Sequence, residues 1–344
     1  MIKLKEYLII NFDTETIFLH INPFEKIEIT KTELTLKLIE LLTIGYDKHD
    51  LINVLINDNK FKPEDCKSIL NDFIDNGFTE EYTSYDSKYE RYKRQLLLFD
   101  ILKSRYDYNE DVLQIQDLLE KAHVVIHGTG GIGNYVSLSL VASGIGKITL
   151  IDSDAIELSN LNRQILFTEN DIGKQKVNTA KKRLELLNSE VEINIINEFA
   201  STQDEIISLY NRIDPFSVVI LSADSNPDLQ YWIDYYRNIV KFDYCIIPCG
   251  YNGDVGVVGP LVDNLSKRYI ELLPKDNFQM TELEMKIIKN QHQNFHPPSA
   301  TFLNAIVSNI AALETVKYIT KLDYSTLYNK RMYISSDNYK ITTE

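Results

Sequence analysis

The chain has 344 residues, 44% of them apolar and 25% charged, which is the composition of a water-soluble globular protein with room for one large or two ordinary domains. Its formal charge is −14, from 50 acidic against 36 basic residues, and a surface that acidic repels phosphate backbones, so nucleic acid is excluded as an expected partner. No run reaches the ~20 apolar residues a membrane span needs, the N-terminus lacks the h-region of a secretory signal, and three scattered cysteines (Cys66, Cys245, Cys249) suit the reducing cytoplasm rather than a disulfide framework.

Residues 1–85 read as a small winged-helix-like module. Leu4–Asn11 and Thr16–Ile21 alternate as strands. Leu34, Leu38, Leu41 and Leu42 mark a helix over Thr32–Leu42, and Asp50–Asn57 a second. Pro63 opens a third, with Gly77 closing it and Phe78 starting a strand. The order is two strands, three helices, one strand. Glu80–Lys88 is polar and reads as a linker.

Residues 86–344 form the second predicted domain. From Ala122 strands and helices alternate: strand Val124–His127, helix Asn134–Ala142, strand Lys147–Asp152, helix Gly173–Asn188 and strand Val191–Glu198. Helix Gln203–Arg212, strand Ser217–Ser222, helix Pro227–Val240 and strand Tyr244–Cys249 follow. This is the rhythm of an α/β fold, a Rossmann-like, doubly wound, mostly parallel sheet covered by helices. Leu303, Ile306, Val307, Ile310, Leu313 and Val316 mark a late helix, read as plain core or dimer packing. Arg331–Ile341 supplies closing antiparallel strands.

The first strand runs into Gly128-Thr-Gly130-Gly131-Ile-Gly133, and a helix follows. Glycine allows the tight turn and the approach of phosphate oxygens to backbone amides at a helix N-terminus. Asp152 ends the next strand 19 positions after Gly133, where a carboxylate can accept ribose hydroxyls. The pattern alone serves any dinucleotide or nucleotide site.

Four polar clusters follow in order: Asp152-Ser-Asp154, Asn160-Leu-Asn-Arg163-Gln164, Gly173-Lys-Gln-Lys176 and Ala223-Asp224-Ser-Asn226. Over Tyr89–Ile319 these clusters resemble the ThiF/MoeB ubiquitin-activating-like adenylating superfamily, and Arg91-Tyr-Lys-Arg94-Gln95 resembles its entry motif. The resemblance implies ATP-dependent transfer of a carboxylate onto the α-phosphate, with release of pyrophosphate. Charge then builds on the triphosphate, and fixed cations in a dry site are suited to meet it; Arg163 and Lys176 fill that role. Asp224 is the expected Mg2+ ligand. Asn160 and Gln164 are expected on phosphate or ribose. Arg94 is implied to reach across a homodimer to the partner's ATP. The plain alternatives are an ion-pairing surface Arg163, a solvated Lys176, and an Asp224 that caps a helix before Pro227.

Many members carry a zinc site of two CxxC pairs; Cys245 and Cys249 have no partners at ligand spacing, so no structural zinc is expected. No cysteine stands at a thioester position. Ile247–Leu261 resembles the peptide-modifying branch, the MccB-type enzymes of microcin biosynthesis, whose members carry an N-terminal peptide clamp. MccB-type enzymes activate a peptide ending in Asn and form a phosphorus–nitrogen bond to the nucleotide. The pantocin-type relative PaaA activates Glu side chains of a precursor and leads to a bicycle, and the missing zinc ligands tilt the reading toward that chemistry. A precursor peptide is thus the expected partner, bound as an added strand on the N-terminal module. Tyr251, Asn252, Asp254 and His296 are candidate substrate-pocket residues, and Leu265–Ser299 is placed as a lid. Three other readings stand beside this one: a non-catalytic leader-presenting protein, a sulfur-carrier-protein adenylyltransferase, and an NAD-dependent dehydrogenase that would leave Asn160, Arg163, Gln164 and Lys176 without a task.

Overall fold

The computed structural model describes every residue except 58–60, 82–86, 107–109, 201, 224–228, 238, 241, 267–297 and 323–326. The chain divides into two compact units, Met1–Ile101 and Leu102–Glu344.

In the first unit, β1 (Ile2–Leu4) pairs antiparallel with β5 (Thr79–Glu81). β2 (Ile9–Phe12), β3 (Thr16–Asn22) and β4 (Glu25–Thr30) form a separate antiparallel meander. Three helices lie between β4 and β5: α1 (Glu33–Ile44), α2 (Lys48–Asn57) and α3 (Pro63–Asp75). Thr32 and Thr35 close a capping box at the start of α1. Gly77, at φ +70°, ends α3, and Phe78 N donates to Phe73 O at 2.9 Å. Ile17, Leu19, Leu38, Leu42, Leu51, Leu55, Leu70 and Phe73 form the core.

Two expectations change here. Leu4–Asn11 is not one strand. The chain turns at Lys5, where Leu8 N donates to Lys5 O, and both Lys5 Nζ (2.7 Å) and Tyr7 Oη (3.1 Å) donate to the Asp100 carboxylate. Before α1 there are four strands rather than two. β4, Glu-Lys-Ile-Glu-Ile-Thr, buries only part of one face, so its apolar signal is weak. Asp100 lies on α4 (Lys93–Arg105), within which the division between units falls.

The second unit opens with α5 (Val112–Lys121), capped by Asp111. There follow β6 (His123–His127), α6 (Gly131–Ala142), β7 (Lys147–Ile151), α7 (Lys176–Leu187), β8 (Glu192–Ile196), α8 (Gln203–Tyr210), β9 (Val218–Leu221), α9 (Leu229–Tyr236), β10 (Cys245–Asn252), β11 (Val255–Val258), α10 (Thr301–Thr320), β12 (Met332–Ser335) and β13 (Ile341–Thr343). One sheet contains all eight strands, in the order β13-β12-β11-β10-β9-β6-β7-β8. β10, β9, β6, β7 and β8 are parallel; the remaining pairs are antiparallel. The fold is α/β with a large, mostly parallel central sheet.

β6 and β9 are buried along their whole length and are rich in Val and Ile, as suits strands covered on both faces. The chain leaves β6 toward β7 and β8 on one side and returns to β9 and β10 on the other. A crevice opens at the carboxyl ends of strands where the order reverses in this way. The late helix α10 is core on one face: Leu303, Val307, Ala311 and Val316 are buried, and Ser308 Oγ donates to Ile132 O at 2.9 Å. Gly256 on β11 makes room for Val307, which a Cβ there would strike. Ile306 and Leu313, expected on the same face, are exposed.

Candidate nucleotide site

The loop after β6 is built by glycines with different duties. Gly128 has φ +98°, and a Cβ there would lie 2.8 Å from Ala223 N, so both conformation and space demand glycine. A Cβ at Gly133 would collide with the carbonyl oxygen of Gly128, and one at Gly131 with the Asn304 amide. Gly130 is different. Among the described residues nothing lies nearer its missing Cβ than Gln164 Nε2, at 3.8 Å, so the space it leaves open faces a cavity. Gly130 is also the N-cap of α6 and offers no side-chain cap, which leaves that helix end available to an anion.

The cavity encloses about 430 Å³ at the carboxyl ends of β6, β7 and β9. Gly128, Gly130 and Gly131 line it, as do Asp152, Asp154, Asn160, Arg163, Gln164, Lys176 and Tyr251. The sequence therefore placed most of its candidates around one space. Asp152 is braced: Oδ2 accepts from Thr129 N (2.7 Å) and Thr129 Oγ1 (2.9 Å), and Oδ1 accepts from Asp154 N (2.9 Å). Asn160 is turned inward, its Oδ1 accepting Glu157 N at 3.1 Å, so it shapes the turn that carries Arg163.

Arg163 donates through Nη1 to Ser159 O (2.8 Å) and Asn162 Oδ1 (3.0 Å), and it makes no ion pair among the described residues. The surface ion-pair alternative is therefore absent there. Gln164 is 2% exposed, and its buried Oε1 has no hydrogen-bond partner among the described residues. Lys176 opens α7 and is 6% exposed, unlike a solvated helix lysine. Its Nζ donates to Asp154 Oδ2 at 2.7 Å.

The approach to α7 is held by Asp171, whose carboxylate accepts from Lys174, from Thr168 and from Arg183. The Lys174 ammonium and the Thr168 hydroxyl beside it hold its carboxyl well below the usual carboxylate range.

Several wall residues carried no sequence signal. His127, Glu198, Phe199 and Ser222 line the cavity. Burial pushes the His127 imidazole down to about 4, so it is neutral near pH 7, and its Nδ1 lies 3.1 Å from the Tyr210 hydroxyl. Glu198 pairs in a bidentate bridge with Arg212, at 2.8 and 2.6 Å. It stands two residues after β8.

Asn252 and Asp254 are not among the residues that line the cavity. They flank Gly253 at the tip of the β10–β11 hairpin. Arg94 is exposed on α4, in the N-terminal unit. Asp224, His296 and most of the proposed 265–299 lid lie outside the described residues. Among the described residues no three His, Cys, Asp or Glu side chains cluster as a metal site, and no helix is long and apolar enough to cross a membrane.

The crystal structure of the microcin C7 biosynthetic enzyme MccB with N-formylated MccA is similar over 100% of this chain and 96% of that one, with 26% identity and a TM-score of 0.80. E. coli MccB solved with ATP gives a TM-score of 0.78 at the same identity and coverage. PaaA shares the fold, at 22% identity and a TM-score of 0.76 over 99% of this chain and 98% of its own. Among curated proteins, the probable molybdopterin-synthase adenylyltransferase of Porphyra purpurea is 34% identical over 183 residues, 51% of this chain and 45% of that protein. The chain spans less than half the length of the first curated relatives it matches. The ThiF family matches residues 92–343, well over half of the sequence, and the chain belongs to that family.

Proposed function

We propose that the chain is an ATP-dependent adenylyltransferase that activates a carboxyl group on a ribosomally made precursor peptide. The observation that carries this reading is the convergence of the Gly128–Gly133 loop, Arg163 and buried Lys176 on one cavity. Adenylyltransferase names among the relatives and the ATP complex of MccB support it.

In this reaction a carboxylate oxygen attacks the α-phosphorus, and the bond to the bridging oxygen breaks. Pyrophosphate leaves with the electron pair and an acyl-adenylate remains. The open floor at Gly130 admits the phosphates close to the α6 N-terminus. Arg163, neutralised by no carboxylate among the described residues, meets the charge on the departing pyrophosphate, and Lys176 meets the α-phosphate side. Asp152, fixed by Thr129, retains acceptor capacity for a ribose hydroxyl. The buried Gln164 Oε1 is a second acceptor. Neutral His127 adds no positive charge to the wall.

A magnesium ion would supply charge neutralisation at the phosphates, and one or two protein carboxylates would suffice to hold it. Asp224, next in sequence after the cavity-lining Ala223, is our candidate ligand.

The whole-chain likeness to MccB favours a peptide over a sulfur-carrier protein, because the curated sulfur-carrier relatives match only part of the chain. The sulfur-carrier-protein adenylyltransferase of Thermus thermophilus, for example, covers 40% of it. We assign residues 1–85 to peptide capture, with a strand added at an edge of the β2–β3–β4 meander. A homodimer in which Arg94 completes the partner's site, magnesium dependence and a cytoplasmic location belong to the same reading. A leader-presenting role without catalysis has no use for a buried lysine on the wall of a cavity of about 430 Å³.

The test is ATP–pyrophosphate exchange with magnesium and the short peptide encoded beside the gene, followed by intact mass. Exchange with a nucleotide added to the peptide indicates MccB-like ligation. Exchange with loss of water indicates PaaA-like cyclisation. Absence of both ATP binding and exchange removes the assignment.

A further inference from the structure

The two segments that face the proposed triphosphate, the glycine loop and the turn carrying Arg163 and Gln164, are separate stretches of chain. Asn134 joins them. It sits in the first turn of α6 with no exposed surface. Its Nδ2 donates to Thr129 O at 2.7 Å, and its Oδ1 accepts Leu166 N at 2.9 Å. Thr129 is the loop residue braced by Asp152, and Leu166 lies two residues beyond Gln164.

One amide thus satisfies a buried carbonyl on one wall and a buried N–H on the other. A carboxylate lacks the donor and an aliphatic side chain lacks both groups. Neither bond is needed to hold α6, whose backbone bond from Asn134 N to Gly130 O is separate. The geometry asks for an amide at this position.

We infer that Asn134 is a positioning residue that fixes the separation between the phosphate-binding loop and Arg163, and so acts on the phosphates of the nucleotide rather than on its nucleoside part. This rests on the nucleotide reading above. Asn134 touches no reacting atom; it acts through Arg163. Losing the bridge lets the Arg163 turn drift, and a displacement near 1 Å at a charged group is costly in a site of this kind.

The experiment is calorimetric titration of the full chain with Mg-ATP and with adenosine, on wild type, Asn134→Ala, Asn134→Asp, Arg163→Ala and the Asn134→Ala/Arg163→Ala double variant, with thermal melts of each. The expected result is a loss of about tenfold or more in Mg-ATP affinity for both Asn134 variants, with adenosine affinity within about twofold of wild type. The double variant should bind Mg-ATP no more than about twofold worse than Arg163→Ala alone, because residues acting as a unit are non-additive. Multiplying losses, equal loss for adenosine, or wild-type ATP affinity in Asn134→Asp overturns the inference while leaving the nucleotide site standing. Melting of both Asn134 variants below the working temperature marks the residue as merely structural and also overturns it. Absence of Mg-ATP binding by wild type removes the nucleotide reading itself, and the inference with it.

Discussion

Lys176 Nζ lies 2.7 Å from Asp154 Oδ2, joining a lysine side chain that is 8% exposed to a carboxylate that is 65% exposed. Solvent reaches the carboxylate, and on the proposed nucleotide reading a bound triphosphate would take over as counter-charge. Asp154→Asn should lower the melting temperature of the ligand-free protein, since a buried ammonium loses its partner, and the cost is about 1 kcal/mol or less given the exposure of Asp154. Mg-ATP should then raise the melting temperature of the variant by more than it raises that of wild type. Equal shifts in a thermal-shift titration would separate Lys176 from the phosphates.

Arg163→Ala removes a cation held by two local hydrogen bonds and no carboxylate among the described residues, so the fold should persist. Loss of one preorganised donor at a charge-developing site costs about 10²–10³ in rate. The pyrophosphate-exchange rate should fall by that order, with an unchanged melt.

Gly130 and Gly133 separate folding from binding. Among the described residues a Cβ at Gly130 meets nothing closer than 3.8 Å, and its φ of −71° suits alanine, so Gly130→Ala should fold normally and lose Mg-ATP affinity. A Cβ at Gly133 collides with the Gly128 carbonyl, so Gly133→Ala should be destabilised by several kcal/mol and recovered poorly. Circular dichroism melts and ATP titration of the pair should give opposite signatures. Normal ATP binding by Gly130→Ala would refute the placement of the phosphates.

His127 predicts a pH effect. Burial lowers its folded value from 6.5 to about 4, so above pH 6.5 neither state carries the proton and no penalty applies. As pH falls from 6.5 to about 4 the unfolded chain binds a proton that the native state refuses, and stability drops. The drop approaches about 3 kcal/mol at the lower end. The urea midpoint of wild type should therefore fall more steeply across that window than that of His127→Gln. Parallel curves would mean the imidazole is hydrated in the native state.

The sheet and its glycine loop were legible because both signals are local. Buried parallel strands read as runs of Val and Ile, and a strand, glycines and a helix follow one another in 20 residues from His123 to Ala142. Arg163 and Lys176 were legible through the ordered motifs that carry the family resemblance, and both line the cavity. Thr129 and Asn134 were not, because their value lies in bonds to Asp152 and Leu166, 23 and 32 positions away. Asn160 lines the cavity as expected of a site residue, and the bond its Oδ1 accepts from Glu157 N is a local one that short polar side chains make. α4, α5 and β11 were passed over. The first two precede the clear strand–helix rhythm, and β11, Val-Gly-Val-Val, is short and interrupted by the glycine that admits Val307. On α10 the spacing found the helix but not which apolar side chains point to solvent.

The strand order has a consequence for synthesis on the ribosome. Val124 of β6 is flanked by Ile148 on one side and Val218 on the other, so one edge of β6 waits for a partner 94 positions further along (124 to 218). At a translation rate of about 5–20 residues per second that apolar edge stays uncovered for about 5–20 seconds. The nascent protein is then most exposed to mispairing and to chaperone capture, and slower translation between codons 152 and 218 lengthens the hazard rather than relieving it.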